Sequence, residues 1–174
     1  MPKYLLVFGL ALATACGPAT PSGGSAAPSG GALEFAGSWN GLGSRRSISL
    51  GPARVGSILD LKGTLLLSGA GRPGVGFQSQ VIGLTDSATG FQGRSVWTDE
   101  HGDQIYSALQ GEGTAAANRI TGTVLSGTGR YADVRGSYEF SWQWVMEGED
   151  GAIQGRAVDL KGHFQRINPE GSAR

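Results

Sequence analysis

The chain has 174 residues, of which 31 are glycine, more than twice the usual fraction of about 7%. Lysine plus arginine and aspartate plus glutamate number 14 each, so no excess of positive charge indicates a nucleic-acid surface. One cysteine and two histidines exclude a disulfide within the chain and form no recognisable zinc spacing. We therefore expect one small domain without a nucleic-acid partner, a metal or a cofactor.

The first 15 residues predict a signal peptide. Lys3 supplies the positive region, residues 4–13 are apolar, and Ala13-Thr14-Ala15 is a small-residue cleavage site. The apolar stretch is shorter than the ~20 residues that a membrane-spanning helix needs. Cys16 follows directly, so the segment resembles a lipobox, in which the thiol is acylated before cleavage. Because Ala13 stands where leucine is usual, ordinary cleavage at the same site remains the alternative.

The stretch from residue 17 to residue 31 contains only glycine, proline, alanine, serine and threonine, a composition typical of a flexible linker. Two or three acyl chains on Cys16 hold a protein at a membrane surface more firmly than one chain does. We therefore expect a bacterial envelope protein anchored to lipid, on the outer membrane if the host has two membranes. Its predicted segments are a removed leader (1–15), a lipidated cysteine with its tether (16–32), a folded domain (33–167) and a polar tail (168–174).

The folded part shows two-residue apolar alternation between glycine-rich breaks, which predicts strands with one buried face. The clearest strand covers residues 138–146, with one face made of Tyr138, Phe140, Trp142, Trp144 and Met146. Its partner alternates through Val158, Leu160 and Phe164 after a turn at Glu149-Asp150-Gly151. The same test predicts the other strands at 35–47, 57–67, 75–85, 91–99, 104–112 and 117–126.

Most connections between the predicted strands are too short for a crossover helix, so sequential strands should pair antiparallel. An open sheet of eight strands leaves two exposed edges, and closure into an up-and-down barrel removes both. We therefore predict an all-β, single eight-stranded antiparallel barrel, with a β-sandwich as the alternative. A transmembrane barrel is disfavoured by short connections at both ends and by the polar tail at 168–174.

Two segments carry a resemblance to a known family. Residues 126–136 contain a Gly-Thr-Gly-Arg-aromatic turn followed by Arg-Gly, and a hairpin at 96–105 precedes it. Both resemble dirigent proteins and bacterial proteins with an allene oxide cyclase-like barrel. The resemblance implies an eight-stranded barrel whose lumen, in plant relatives, houses oxylipin cyclisation or guides phenoxy-radical coupling. The catalytic residues of the plant enzymes find no matching positions outside the shared turn.

The turn itself has a structural explanation. Gly127 and Gly129 can adopt positive φ without steric cost, Arg130 follows them, and we expect Tyr131 to fold over the barrel mouth. The Gly-x-Gly spacings that begin at Gly69 and Gly127 are typical of dinucleotide-binding loops, but neither opens a helix, so we interpret both as turns.

Charged groups in the hairpin around residue 100 are candidates for a cation site. Asp99, Glu100 and Asp103 lack the twelve-residue calcium pattern, so we expect a solvated hairpin tip. We expect His101 to be solvated in that turn and His163 to lie on the polar face of the last strand.

The inner face of the predicted barrel offers a ligand site. Trp97, Trp142, Trp144 and Tyr138 are candidate lining residues, or else they simply fill the core. Room beside them would come from small residues on neighbouring strands, namely Gly93, Ser95 and Ser107.

Two carboxylates, Glu112 and Glu139, are the candidate catalytic residues, because an inward position would raise the pKa and permit acid–base work. Their exposed neighbours favour an outward position. Three functions stay open: a lipid-anchored protein that binds a small apolar molecule or another envelope component, a cyclase- or isomerase-like enzyme, and a structural module with a filled barrel. We favour the first, which is not enzymatic.

Overall fold

The computed structural model describes residues 33–112 and 118–167; the predicted leader, Cys16, the tether and the polar tail lie outside the described residues. Within these two ranges the chain forms eight antiparallel strands, and one short 3-10 helix (η1) separates the sixth strand from the seventh. The elements in chain order are β1 (Leu33–Gly51), β2 (Arg54–Ser68), β3 (Gly76–Asp86), β4 (Gly90–Thr98), β5 (Gln104–Glu112), β6 (Asn118–Gly127), η1 (Gly129–Tyr131), β7 (Val134–Glu147) and β8 (Ala152–Arg166).

The strands close into a barrel in sequence order. Each strand pairs with the next, and β1 pairs with β8 from Leu33 opposite Phe164 to Ser44 opposite Ala152. The predicted barrel is therefore confirmed and the sandwich alternative is wrong. Among the described residues no helix is long and apolar enough to cross a membrane.

Alternation of side chains along each strand builds the core. In β2, for example, Leu59, Leu61, Leu65 and Leu67 are buried, while the residues between them face outward or are only partly buried. Equivalent positions on the other strands join them in one continuous cluster inside the barrel.

Two predicted inward positions are wrong because β-bulges shift the alternation. The bulge in β8 includes Asp159, which has a φ of 54°. Val158 and Asp159 lie opposite one residue of β1, Ser38, and Asp159 and Leu160 lie opposite one residue of β7, Phe140. Ala157 and Leu160 therefore point inward in place of Val158. A second shift in β7, after Trp144, leaves Met146 52% exposed. Since a bulge inserts one extra residue, every side chain beyond it changes face.

The two ends of the barrel differ. One end carries the connections at 69–75, 99–103 and 128–133, and we call it the closed end because Tyr131 lies across it with 1% exposure. The opposite end, called the open end, carries the turns at 52–53, 87–89 and 148–151.

Candidate functional site

A cavity of about 360 Å³ enters the barrel from the open end. Its walls are mostly apolar inward-facing side chains from several strands. The aromatic members are Trp39, Phe91, Phe140, Trp142 and Trp144. The rings of Trp39 and Trp142 tilt against each other with centroids 5.1 Å apart, and Trp142 meets Trp144 edge to face at 5.5 Å. The cavity can therefore accept an apolar molecule against an aromatic wall.

Glycines on the inner wall make room for the two tryptophan rings. A Cβ atom at Gly41 would lie 2.9 Å from Cζ2 of Trp39, and one at Gly155 would overlap the ring of Trp142. Because neither glycine has a side chain, the rings lie against the backbone of the wall instead of crossing the lumen. A larger residue at either position would force a ring to move, and the cavity would change shape.

Polar side chains surround the mouth of the cavity and are already paired. Arg45 donates a hydrogen bond of 2.7 Å to Glu147, and its guanidinium lies 5.8 Å from the Trp144 ring centroid. Arg54 donates two hydrogen bonds to Asp86, and these bonds are the main reason that the pKa of Asp86 is lowered. The mouth therefore has no free charge among these four groups.

Below the cavity the described residues pack closely around a void of about 10 Å³. Trp39, Val81, Leu109 and Phe140 line both spaces, so the void lies directly under the cavity floor. Its volume is close to the minimum for one water molecule.

Hydroxyl groups cluster around this void. Tyr138 and Ser95 share a hydrogen bond of 2.9 Å, and Ser95 pairs across the sheet with Ser107. Burial raises the pKa of Tyr138 to about 12, so the phenol stays protonated at neutral pH. The nearby Ser107 and Ser95 hydroxyls act in the opposite direction and offset part of this rise in the pKa of Tyr138.

The structure separates the four predicted lining residues into two groups. Trp142 and Trp144 line the cavity, whereas Trp97 and Tyr138 lie deeper and pack on each other with centroids 4.7 Å apart. The three small residues predicted to leave room, Gly93, Ser95 and Ser107, face inward as expected. The Phe91 ring, however, occupies the space beside Gly93. Trp39 also lines the cavity and is not among the predicted lining residues, although the alternation of apolar residues in β1 indicates its inward position.

Both candidate carboxylates lie on the outside of the barrel. Glu139 forms ion pairs with Arg119 at 2.7 Å and with Lys161 at 3.2 Å, and the hydrogen bond from Arg119 is the largest cause of its lowered pKa. A general acid at neutral pH needs the opposite shift. Glu112 is exposed at the end of β5. Neither carboxylate lines the cavity, so a catalytic role for them is not supported.

The closed end is held by a buried carboxylate, which corrects the expectation of a solvated hairpin tip. The side chain of Asp99 is 1% exposed and accepts hydrogen bonds from the Tyr131 hydroxyl at 2.8 Å and Arg130 Nε at 2.7 Å. Its other oxygen accepts from the backbone N–H groups of His101 and Asp103. Burial alone would raise the pKa of Asp99, but these four hydrogen bonds outweigh it and lower the pKa to about 2.

Arg130 occupies the place that a cation would take among these acids. Its Nη2 atom lies 3.2 Å from Glu100 and 2.9 Å from Nδ1 of His101, and its Nε bonds to Asp99. Those three residues form the described cluster whose ligand atoms lie within 4.8 Å of one another. Since the guanidinium is already paired with both carboxylates, the cluster serves as an internal ion-pair network. His101 and His163 are exposed, as expected.

The two glycines of the turn are needed for different reasons. Gly129 has a φ of +49°, which confirms the prediction for that residue. Gly127 does not have positive φ, so the prediction for it is wrong. A Cβ atom at Gly127 would overlap the carbonyl oxygen of Tyr131 and lie 2.8 Å from that of Gln104. Gly127 therefore allows two backbone segments to approach closely.

No family model matches the chain, and no curated protein matches it. Among solved structures, the chain is similar to a pterocarpan synthase dirigent protein, with a TM-score of 0.44 and 11% sequence identity. The similarity covers 78% of this chain and 88% of that one.

Proposed function

We propose that the protein is a lipid-anchored envelope protein whose barrel binds a small apolar molecule. The observation that carries the proposal is the cavity of about 360 Å³ with its aromatic wall at the open end. Ligand sites in proteins are typically ~300–1,000 Å³, mainly apolar and lined by aromatic side chains. A barrel that served only as a rigid module would fill this space, because protein interiors close-pack and leave few voids larger than a water molecule.

The position of the N-terminus supports anchoring without obstruction of the cavity. Strand β1 starts at the closed end, where Leu33 pairs with Phe164. A tether from Cys16 would therefore join the barrel at the end opposite the mouth. With flexible-chain behaviour, 16 residues between Cys16 and Leu33 give a root-mean-square reach of about 22 Å. The membrane would then hold the barrel while the mouth stays accessible.

The residues around the cavity do not favour an enzyme. Among the described lining residues, the ionisable side chains are Arg45 and Asp86, and both are held in ion pairs at the mouth. The buried phenol below the floor, Tyr138, has a raised pKa and cannot act as a base near neutral pH.

The test is binding of N-phenyl-1-naphthylamine, an uncharged apolar dye whose emission rises in an apolar site. The mature chain with Cys16→Ser, which cannot be acylated, should bind the dye saturably. Leu59→Trp places an indole in the cavity and should abolish most of the affinity, because Leu59 is a lining residue. Its matched control is Ile58→Trp, which adds the same side chain at the neighbouring outward position, 51% exposed, and should bind normally.

Two results would contradict the proposal. One is the absence of saturable dye binding to the folded protein. The other is unchanged affinity in Leu59→Trp, which would place the bound dye outside the cavity.

A further inference from the structure

One arginine side chain at the mouth of the cavity has hydrogen-bond donors to spare. Arg45 of β1 lines the cavity, and its side chain is 33% exposed. Among the described residues its guanidinium donates one side-chain hydrogen bond, from Nη2 to Glu147 at 2.7 Å. Because a guanidinium carries five N–H donors, further donors of Arg45 are available to an acceptor at the mouth.

Two other arginines of the barrel show a more complete pairing. Arg54 binds Asp86 through Nε and Nη2, and Arg119 binds Glu139 through the same two atoms. In both pairs the planar guanidinium matches the two carboxylate oxygens, which is the strongest arrangement for these groups. The pair formed by Arg45 uses a single carboxylate oxygen and lacks this bidentate match.

The present partner of Arg45 can be exchanged at little cost. Glu147 is the last residue of β7, and its side chain is 41% exposed. An ion pair with this exposure contributes little to stability, because water screens the attraction and both side chains lose freedom when they pair. A carboxylate from another molecule can therefore replace Glu147 at Arg45 while the Glu147 side chain turns into water.

The guanidinium stands where the aromatic wall of the cavity ends. Its central carbon, Cζ of Arg45, lies 5.8 Å from the ring centroid of Trp144, and that ring meets Trp142 edge to face. An apolar molecule that lies against these two rings would bring a polar group at its outer end to the guanidinium.

The charges at the mouth favour an anion over a cation. Asp86 is the acidic residue on the described wall of the cavity. Its carboxylate already accepts two hydrogen bonds from Arg54 and one from the backbone N–H of Ala88. The negative charge on the wall is therefore satisfied within the protein, whereas the positive charge of Arg45 has donors left for a ligand.

We infer that the ligand is an apolar carboxylic acid in its ionised form, whose carboxylate binds Arg45 through two hydrogen bonds in place of Glu147. Its apolar body lies against the aromatic wall of the cavity. Glu147 supports the choice of a carboxylate, because it places the same chemical group against this guanidinium. The inference rests on the proposed function and specifies the ligand class.

The experiment compares 1-naphthaleneacetate with 1-naphthaleneacetamide, which share a ring system and nearly the same shape and differ in the charge of the head group. Each is used to displace N-phenyl-1-naphthylamine from the Cys16→Ser chain at neutral pH. The informative quantity is the ratio of the two affinities, acetate to amide, compared between variants. Arg45→Gln removes the guanidinium. Its matched control is Arg46→Gln, which removes the same charge at an exposed position opposite the outward-facing Ile58.

We expect Arg45→Gln to lower the ratio about five- to twentyfold, the effect of losing a charge-assisted pair in a partly exposed position. Arg46→Gln should keep the ratio of the unsubstituted arginines. Equal ratios in Arg45→Gln and its parent would overturn the inference and leave the proposed function intact. An equal fall in both arginine variants would also overturn it, because the cause would then be net charge and not contact. Failure of the dye itself to bind would instead contradict the proposed function.

A second variant keeps Arg45 and tests the exchange of partners. Since Glu147 competes with the ligand for the guanidinium, Glu147→Gln should raise the ratio of acetate to amide by about threefold or more. Glu149→Gln is its matched control, because it removes the same charge at an exposed position of the adjacent turn and should leave the ratio unchanged. An unchanged or lower ratio in Glu147→Gln would overturn the inference.

Discussion

The hydroxyl of Tyr131 donates a hydrogen bond of 2.8 Å to Asp99, a residue 32 positions earlier in the chain. This bond joins the connection after β6 to the turn between β4 and β5 and closes one end of the barrel. The phenol ring packs against Phe77 at 5.8 Å, so the same side chain also completes the core. Closure of this end leaves the open end as the entrance to the cavity.

Removal of the Tyr131 hydroxyl should destabilise the protein. In Tyr131→Phe the buried Asp99 loses one of its hydrogen bonds, and we expect the free energy of unfolding to fall by about 1–3 kcal/mol. Urea denaturation followed by circular dichroism measures the change. Tyr106→Phe is the control, because its hydroxyl bonds to Gln104 in a partly buried position, and it should change stability by less than about 0.5 kcal/mol. Equal stability of Tyr131→Phe and the wild type would contradict our account of the closed end.

Protonation of Asp99 at low pH should lower the free energy of unfolding. Its pKa in the folded protein, about 2, lies below the ordinary 3.8, so the unfolded chain binds this proton more readily than the folded protein does. The contribution of Asp99 to stability is therefore complete above about pH 4 and is lost as the pH falls toward 2. Asp99→Asn should flatten this part of the stability profile, although the variant is less stable at neutral pH.

The control for the acid profile is Asp133→Asn, a change at an exposed position on another connection of the closed end, residues 128–133. Its pH dependence should match that of the wild type. If Asp99→Asn loses as much stability as the wild type between pH 4 and 2, another carboxylate is responsible for the acid sensitivity.

The two turn glycines should both resist substitution, for separate reasons. Gly129→Val should destabilise the protein by a few kcal/mol, because a β-branched residue is strongly disfavoured at a φ of +49°. Gly127→Ala should cost about 1–3 kcal/mol through overlap with the Tyr131 carbonyl. Gly76→Ala is the control, since its nearest side-chain atom would lie at an ordinary 3.7 Å. Thermal unfolding of the three variants gives the comparison, and a stable Gly127→Ala would contradict the close approach.

The deep and shallow tryptophans should respond differently to truncation. Trp97 is 3% exposed in the filled part of the core, so Trp97→Ala should lower the free energy of unfolding by roughly 3–5 kcal/mol. Trp144 is only partly buried at the cavity, so Trp144→Ala should cost less than half as much. Chemical denaturation measures both. Similar losses would indicate that Trp144 is a core residue and that the mouth of the cavity closes in solution.

Lipid anchoring at Cys16 can be tested independently of the structure of the barrel. The wild-type protein should partition into the detergent phase, and mass spectrometry should find an acylated Cys16 at the mature N-terminus. Cys16→Ala should partition into the aqueous phase. An unmodified Cys16, or identical partitioning of the two proteins, would contradict lipid anchoring.

The order and approximate limits of the strands could be predicted from alternation, since period-two burial is a local property of a strand. The bulge at Asp159 could not be predicted, because it depends on which residues of β7 and β1 stand opposite. That single extra residue also explains why Ala157 is buried and Val158 is not.

The candidate site was predictable only in part. Trp142 and Trp144 were correctly placed beside the lumen, but no local pattern distinguishes a strand position near the open end from one in the filled middle, where Trp97 lies. Asp99 looked like an exposed turn residue because its partners, Tyr131 and Arg130, are about 30 positions away in the chain.

The sequence by itself determined the features that depend on near neighbours: the alternating strands, the short connections that enforce antiparallel order, and a glycine suited to positive φ at position 129. The tertiary structure alone decided the features that depend on closure. When β1 meets β8, Trp39 comes beside Trp142, more than 100 residues later in the chain, and two glycines, Gly41 and Gly155, let both rings lie on the wall. Burial, pairing and the cavity arise from such long-range contacts, which no stretch of sequence contains on its own.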